Sequence, residues 1–298
     1  MSKLGIDLGG TKIAAIVLSP DGEVVWQHRV PTPRDDYDAT IDAIARLVAD
    51  GEAAARESCT VGLGIPGAIS PATGLIKNAN STWLNGRPFK EDLERRLSRP
   101  VRLQNDANCL AISEATDGAA AGARIVFGVI LGTGVGGGVV VDGNVLTGAN
   151  AIAGEWGHNP LPWPEDDERP GPACYCGRRG CIEAFLSGPG LAADYARRGG
   201  EPIRSEEIVA RAARGDALAS AVFESWERRL ARALATIINV LDPDVIVAGG
   251  GLSRVERMYT TVPPRWRGWV VSDQTVTRFL PARHGDASGV RGAARLWA

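Results

Sequence analysis

Hydrophobic and polar positions divide the first third of the chain into short apolar runs and one wider, helix-like spacing. LGIDLG, IAAIVLS and VVWQHRV, within residues 4–30, predict three strands. They are joined by a GGTK turn and by PDGE, where Asp21-Gly22 between apolar runs is a hairpin signal. Ile41, Ile44, Leu47 and Val48 recur on one helical face. TVGLGIP predicts a buried strand, and a loop rich in Gly, Asn and Ser follows as far as Leu84. EDLERRL has the spacing of a short helix, VRLQ that of a strand, and residues 107 to about 117 are helical again. NDAN, residues 105–108, therefore stands at the carboxyl end of a strand and opens a helix.

The pattern then restarts. VFGVILG predicts a strand, TGVGGG a glycine turn and GVVVDGN a returning strand, so both halves begin with the same device. After a cysteine-bearing loop the chain turns helical, and Val222, Trp226, Leu230, Leu234, Ile237 and Leu241 form a stripe that Asp242-Pro243 stops. DVIVAGGG predicts a strand ending in three glycines. The repetition predicts an α/β protein of two similar lobes facing each other across a cleft, with a boundary near residue 118.

Composition narrows the class. A chain of 298 residues suits two domains, each with its own core, and 44% hydrophobic with 23% charged residues suits a soluble globular protein. A net charge of −2, without a basic run, leaves no electrostatic footprint for nucleic acid. No apolar stretch reaches the roughly 18 residues of a membrane span. MSKLGIDLGG lacks signal-peptide anatomy, which leads us to expect a cytoplasmic protein whose thiols stay reduced.

The turns suggest the chemistry. In DLGGTK, residues 7–12, glycines let backbone N–H groups approach a polyanion, and Asp7 makes sense there if Mg²⁺ lies between it and a phosphate. A plain hairpin turn explains the same residues. LGTGVGGG contains G-x-G-x-x-G at Gly132, Gly134 and Gly137, but a strand follows where the dinucleotide fingerprint needs a helix. What remains is a second phosphate-contacting hairpin, with Thr133 and Gly134 as contacts. Gly249, Gly250 and Gly251 offer a third close approach, for a base or ribose. In NDAN, Asn105 or Asp106 caps the helix, or Asp106 is a general base; one residue can do each. Asn80, Asn105, Glu155, His158 and Glu183 fall in turn-rich stretches, and such groups suit a polyhydroxylated ligand. Cys174, Cys176 and Cys181, with His158 ahead of them, supply a common Zn²⁺ ligand set. All four places would be filled by protein, so the site would be structural; a coincidental cluster is the alternative. Cys59 and Cys109 read as small buried residues.

D-x-G-G-T-K, G-I-P-G at 64–67, N-D-A-N, G-T-G-x-G-x-G, G-E-x-G-H and C-x-C-G-x-x-G-C-x-E stand in the order found in the ROK family, which the chain resembles over almost its whole length. That resemblance implies a duplicated actin-like ATPase fold (sugar kinase/Hsp70, ribonuclease H-like) and membership among ATP-dependent hexose kinases and sugar-responsive repressors. Lobe 1–118 would carry the first phosphate turn and the base, and lobe 119–298 the second turn, the zinc loop and the adenosine-side glycines. KNANSTWLNG, GEWGHNPLPW and HGDASGVRGAARLW look most like bacterial fructokinases that also accept mannose. N-acetylglucosamine kinases share much of the frame and are the alternative. A sugar sensor or repressor is the remote one, since the helix-turn-helix that repressors carry before D-x-G-G-T-K has no room here.

Carried over by position, the resemblance makes Asp106 the base for the sugar's 6-hydroxyl. Asp7, Gly9, Gly10, Thr11 and Lys12 would sit by the ATP phosphates and Mg²⁺, faced by Gly132, Thr133 and Gly134. Gly249, Gly250 and Gly251 would line the adenosine side. Gly67, Asn80, Asn105, Asp106, Glu155, His158 and Glu183 would contact the sugar, and His158 would share itself between sugar and metal. The resemblance also implies a homodimer.

Overall fold

The computed structural model describes residues 1–297. Its elements run β1 (Lys3–Leu8), β2 (Lys12–Leu18), β3 (Val24–Pro31), α1 (Tyr37–Ala55), β4 (Thr60–Ile65), the short β5 (Ala68–Ile69) and β6 (Ile76–Lys77), α2 (Phe89–Leu97), β7 (Val101–Asn105) and α3 (Asp106–Thr116). The second series is β8 (Ile125–Leu131), β9 (Val135–Val141), β10 (Asn144–Val145), α4 (Ile182–Leu186), α5 (Gly188–Arg197), α6 (Ser205–Ala213), α7 (Ala217–Leu241), β11 (Val245–Gly249), α8 (Met258–Trp266), β12 (Arg278–Pro281) and α9 (Ser288–Arg295). One five-stranded sheet has the order β3-β2-β1-β4-β7 and the other β10-β9-β8-β11-β12. In each, the first strand of the series pairs in parallel with the strand that follows the first long excursion, β1 with β4 and β8 with β11. The duplication anticipated from the sequence is a duplication of topology.

Contacts divide the chain into two units. The first is Met1–Ala121, Gly138–Ala153 and residues 286–297; the second is Gly122–Gly137 and Gly154–Gly285. In place of one cut near residue 118, the division also passes inside β9 and ahead of α9.

In the first unit, Asp21-Gly22 turns the β2–β3 hairpin, with Gly22 at φ +90°. Asp36 caps α1 by accepting from the Ala39 N–H, and Ile41, Ile44, Leu47 and Val48 are buried as their spacing predicts. The other face of this sheet is covered by α9. Gly5 and Gly62 lie directly against the Val290 and Ala293 carbonyls, where any Cβ would collide with backbone. Ala14, Ile16 and Leu18 complete that contact with Val290 and Ala294.

The predicted turn TGVGGG is shorter than its glycines suggest, because β9 already begins at Val135. Gly137 is in the strand because Phe127, Trp156 and the Gly154 carbonyl occupy the space a side chain would need. Gly138 packs in the same way against the backbone of Ala107. These glycines serve close packing, not chain reversal. In α7, Val222, Trp226, Leu230 and Leu234 are buried, whereas Ile237 and Leu241 are only half-buried and Ile238 takes the core position. Among the described residues no helix is long and apolar enough to cross a membrane.

Candidate functional site

Each unit gathers its own set of the residues singled out by the sequence. In the first unit, β1 ends on Asp7 and the chain reverses through Gly9 and Gly10 into β2. The Gly9 N–H donates to the Lys12 carbonyl (3.0 Å), and Thr32 clips the turn from β3's end, its hydroxyl donating to the Gly9 carbonyl (2.7 Å) and its N–H to the Thr11 carbonyl (3.0 Å). Gly10, Thr11 and Lys12 are left exposed. Asp7 sits where Gly64 and Gly289 leave room for its carboxylate. Burial pushes its pKa up, against the opposing pull of the Lys12 and Arg29 charges.

NDAN resolves into two roles. Asn105 is the N-cap of α3, accepting from the Ala107 N–H (2.9 Å), and its amide donates to the Gly67 carbonyl (3.2 Å). Asp106 is the first helical residue, half-buried, and one of its oxygens also accepts from the Ala107 N–H (2.8 Å). Gly67, at φ +82°, packs on the backbone of Lys77 and Ala79. Asn85 ties the next stretch down with two 2.9 Å bonds to Ala79, leaving Asn80 exposed at its crest. Gly67, Asn80, Asn105 and Asp106 thus belong to one connected corner of the first unit. Ser81, which the sequence did not single out, lies buried there near Gly10, its hydroxyl without a hydrogen-bond partner among the described residues.

In the second unit, Gly132 and Gly134 close their own turn through a 3.0 Å backbone bond, with Thr133 exposed at its tip. Gly250, at φ +87°, presses on the backbone of Leu131, and this brings Gly250 and Gly251 beside Gly132. Gly249 is the buried end of β11. A cavity of about 610 Å³ opens here. Its walls include Gly132, Thr133, Gly251, the start of α5 at Gly188, and apolar Ile203 and Val255. Glycine backbone, apolar side chains and the charged Arg204, Glu206 and Arg254 together line it, a mixture that suits a polar ligand with an apolar part. Gly188 and Ile203 were not legible as site residues, though Ser187 capping a Gly-Pro-Gly helix start was a local signal.

His158, Cys174, Cys176 and Cys181 bring their ligand atoms within 4.8 Å of one another. His158 Nδ1 is 3.6 Å from Cys174 Sγ, and Cys176 Sγ is 3.6 Å from Cys181 Sγ. Zinc–sulfur bonds of about 2.3 Å in a tetrahedron give S···S edges of roughly 3.8 Å, so the set fits such an ion. Without an ion, burial and the neighbouring Cys176 and Cys174 push the Cys181 thiol up to about 12. A divalent cation would remove that obstacle by binding thiolates directly.

The nitrogen roles of His158 separate here: Nδ1 faces the thiols, and Nε2 lies 3.0 Å from the Tyr175 hydroxyl. Tyr175, missed in the sequence, is 83% exposed between two of the cysteines, with its ring edge-on to the imidazole. Although most of the side chain is in the open, partial desolvation of the hydroxyl end, then the Glu183, Cys174 and Glu155 charges, push its pKa up to about 12. Glu155, His158, Glu183 and Tyr175 therefore cluster in the second unit. Glu183 also accepts a 2.8 Å hydrogen bond from the Val135 N–H, at the foot of the glycine turn.

A family model described as the ROK family matches residues 3–298. The N-acetyl-D-glucosamine kinase of Escherichia coli is 44% identical over 298 residues, covering 98% of each chain. Among solved structures, a ROK hexokinase from Thermus thermophilus superposes with a TM-score of 0.87 at 33% identity, covering 99% of this chain and 97% of that one. A ROK family glucokinase from Streptomyces griseus, in complex with glucose and AMPPNP, gives 0.80 at 28% identity and covers 99% of both chains.

Proposed function

The chain belongs to the ROK family and has its actin-like ATPase sugar-kinase fold, and we propose that it transfers the γ-phosphoryl group of ATP to the 6-hydroxyl of N-acetyl-D-glucosamine. The observation that carries this choice of sugar is the 44% identity, along 98% of both chains, to a kinase named for that sugar. The fructose and mannose preference expected from WLNG and GEWGHNPLPW gives way to it.

Asp106 acts as the base. As the first residue of α3 it has one carboxylate oxygen held by the Ala107 N–H, a donor it shares with the N-cap Asn105, and this fixed carboxylate would accept the proton of the attacking hydroxyl. Asp7 would hold Mg²⁺, which supplies charge neutralisation between the phosphates. Gly9, Gly10, Thr11 and Lys12, together with Gly132, Thr133 and Gly134, would bind and orient the phosphates. Gly249, Gly250 and Gly251 take the adenosine side. Gly67, Asn80, Asn105, Glu155, His158 and Glu183 hold sugar hydroxyls, each as a donor or acceptor. Cys174, Cys176, Cys181 and His158 Nδ1 would hold a structural Zn²⁺. Positioning and charge stabilisation do most of the work in an in-line transfer of this kind. A homodimer belongs to the same reading, and light scattering tests it.

The deciding experiment is ADP release from Mg·ATP with N-acetylglucosamine, fructose, mannose and glucose. N-acetylglucosamine should give the highest kcat/KM. Turnover led by fructose would restore the hexose preference suggested by the sequence, and no turnover with any sugar would overturn the kinase reading.

A further inference from the structure

The second glycine turn is held from outside by one contiguous segment of chain. The Trp156 indole N–H donates to the Gly136 carbonyl (3.0 Å), and Gly157 packs on the Val135 carbonyl. The Gly188 N–H, just past α4, donates to the Gly132 carbonyl (2.8 Å). Between them, Glu183 Oε2 accepts from the Val135 N–H at 2.8 Å. The contact is close: a Cβ on Gly134 would come within 2.7 Å of the same oxygen. The start of α4 that carries Glu183 is anchored through its backbone, because the Ala184 N–H donates to the Cys181 carbonyl (3.0 Å) and the Ile182 N–H to the Asn159 carbonyl (2.9 Å).

We propose that Glu183 is a positioning residue for the nucleotide: its carboxylate braces the Gly132–Gly134 turn through the Val135 N–H, in addition to any contact it makes with the sugar. A hydrogen bond to a charged acceptor is short, directional and costly to leave unmade. Removing the acceptor frees the foot of the turn and spreads the N–H groups that would meet a phosphate. The inference rests on the reading that this turn contacts ATP phosphates.

A sugar contact alone and a brace make different predictions for protein that holds no sugar. Calorimetric titration of Mg·AMPPNP into the sugar-free protein should give a roughly tenfold weaker Kd for Glu183→Ala, the weight of one charge-assisted bond. Glu183→Asp, with its carboxylate drawn back by one methylene, should weaken it similarly and replaces the alanine variant if that fails to fold. Glu183→Gln keeps an acceptor for the Val135 N–H and should stay within about twofold of the wild type. Gly134→Ala should cost less in the Glu183→Ala background than alone, because the atom it strikes is gone. Unchanged Mg·AMPPNP affinity in both the Ala and Asp variants would overturn the brace. Wild-type protein that bound no Mg·AMPPNP would instead refute the nucleotide reading on which the inference rests.

Discussion

The two glycine turns share a motif and a place in their sheets, yet they are held in different ways. The first, Leu8–Lys12, is closed by its own backbone and clipped by Thr32, which follows the third strand of the same meander. The second, Gly132–Gly134, is gripped by residues 156–188, a segment that also carries the thiol cluster. Local support needs only a correct hairpin. Remote support makes the second turn depend on whatever orders the cysteine loop. The duplication therefore conserves a shape but not the means of holding it.

The largest effect should come from neither turn. Asp106→Asn keeps the side-chain shape and removes the carboxylate proposed as the base, so kcat should fall by about 10²–10⁴-fold while sugar binding, measured by calorimetry, stays within a few-fold. Near-normal turnover would mean that the turns alone suffice for the transfer. Next in size is stripping the metal. Chelation should lower the unfolding temperature and weaken Mg·AMPPNP binding together, as a structural ion contributes folding free energy directly. Freshly purified protein free of zinc by elemental analysis, yet fully stable, would break the asymmetry between the turns. Thr32→Val should do less: losing one neutral hydrogen bond, worth about 1 kcal/mol, raises the KM for ATP about fivefold and leaves the sugar KM alone.

The smallest effect is a pH shift. The Asp7 carboxyl is raised by burial and held down by the Lys12 and Arg29 charges, and it must be ionised to hold a cation. Arg29→Ala removes one of those charges, so the Asp7 pKa rises further. The acid limb of Mg·AMPPNP binding should then move to higher pH; an unmoved limb would show that another group sets it.

Most of the first unit was legible, because its central strands are short apolar runs, buried almost throughout, and its turns carry Asp-Gly and Gly-Gly signals. The convergence of His158, Cys174, Cys176 and Cys181 was legible too, because that chemistry is concentrated in a few positions. What could not be read was support across distance. Nothing around Val135 announces that its N–H bonds Glu183, and nothing around Tyr175 announces its contact with His158. Arg229 and Arg232 on α7 went unremarked in the sequence, yet each is 2% exposed, paired with Glu168, and Arg229 also with Asp194. The segment SGVRGAAR gave little apolar signal because α9 buries itself through glycine and alanine backbone contacts, which hydropathy does not weigh. Gly137 and Gly138 misled for the same reason.

The placement of α9 has a consequence for how the protein is made. A ribosome finishes β1, β2 and β4 long before it reaches Ser288, so the sheet face bearing Ile16 and Leu18 must wait uncovered while nearly the whole remainder of the chain is synthesised. The nascent first unit thus presents an open apolar surface through most of translation.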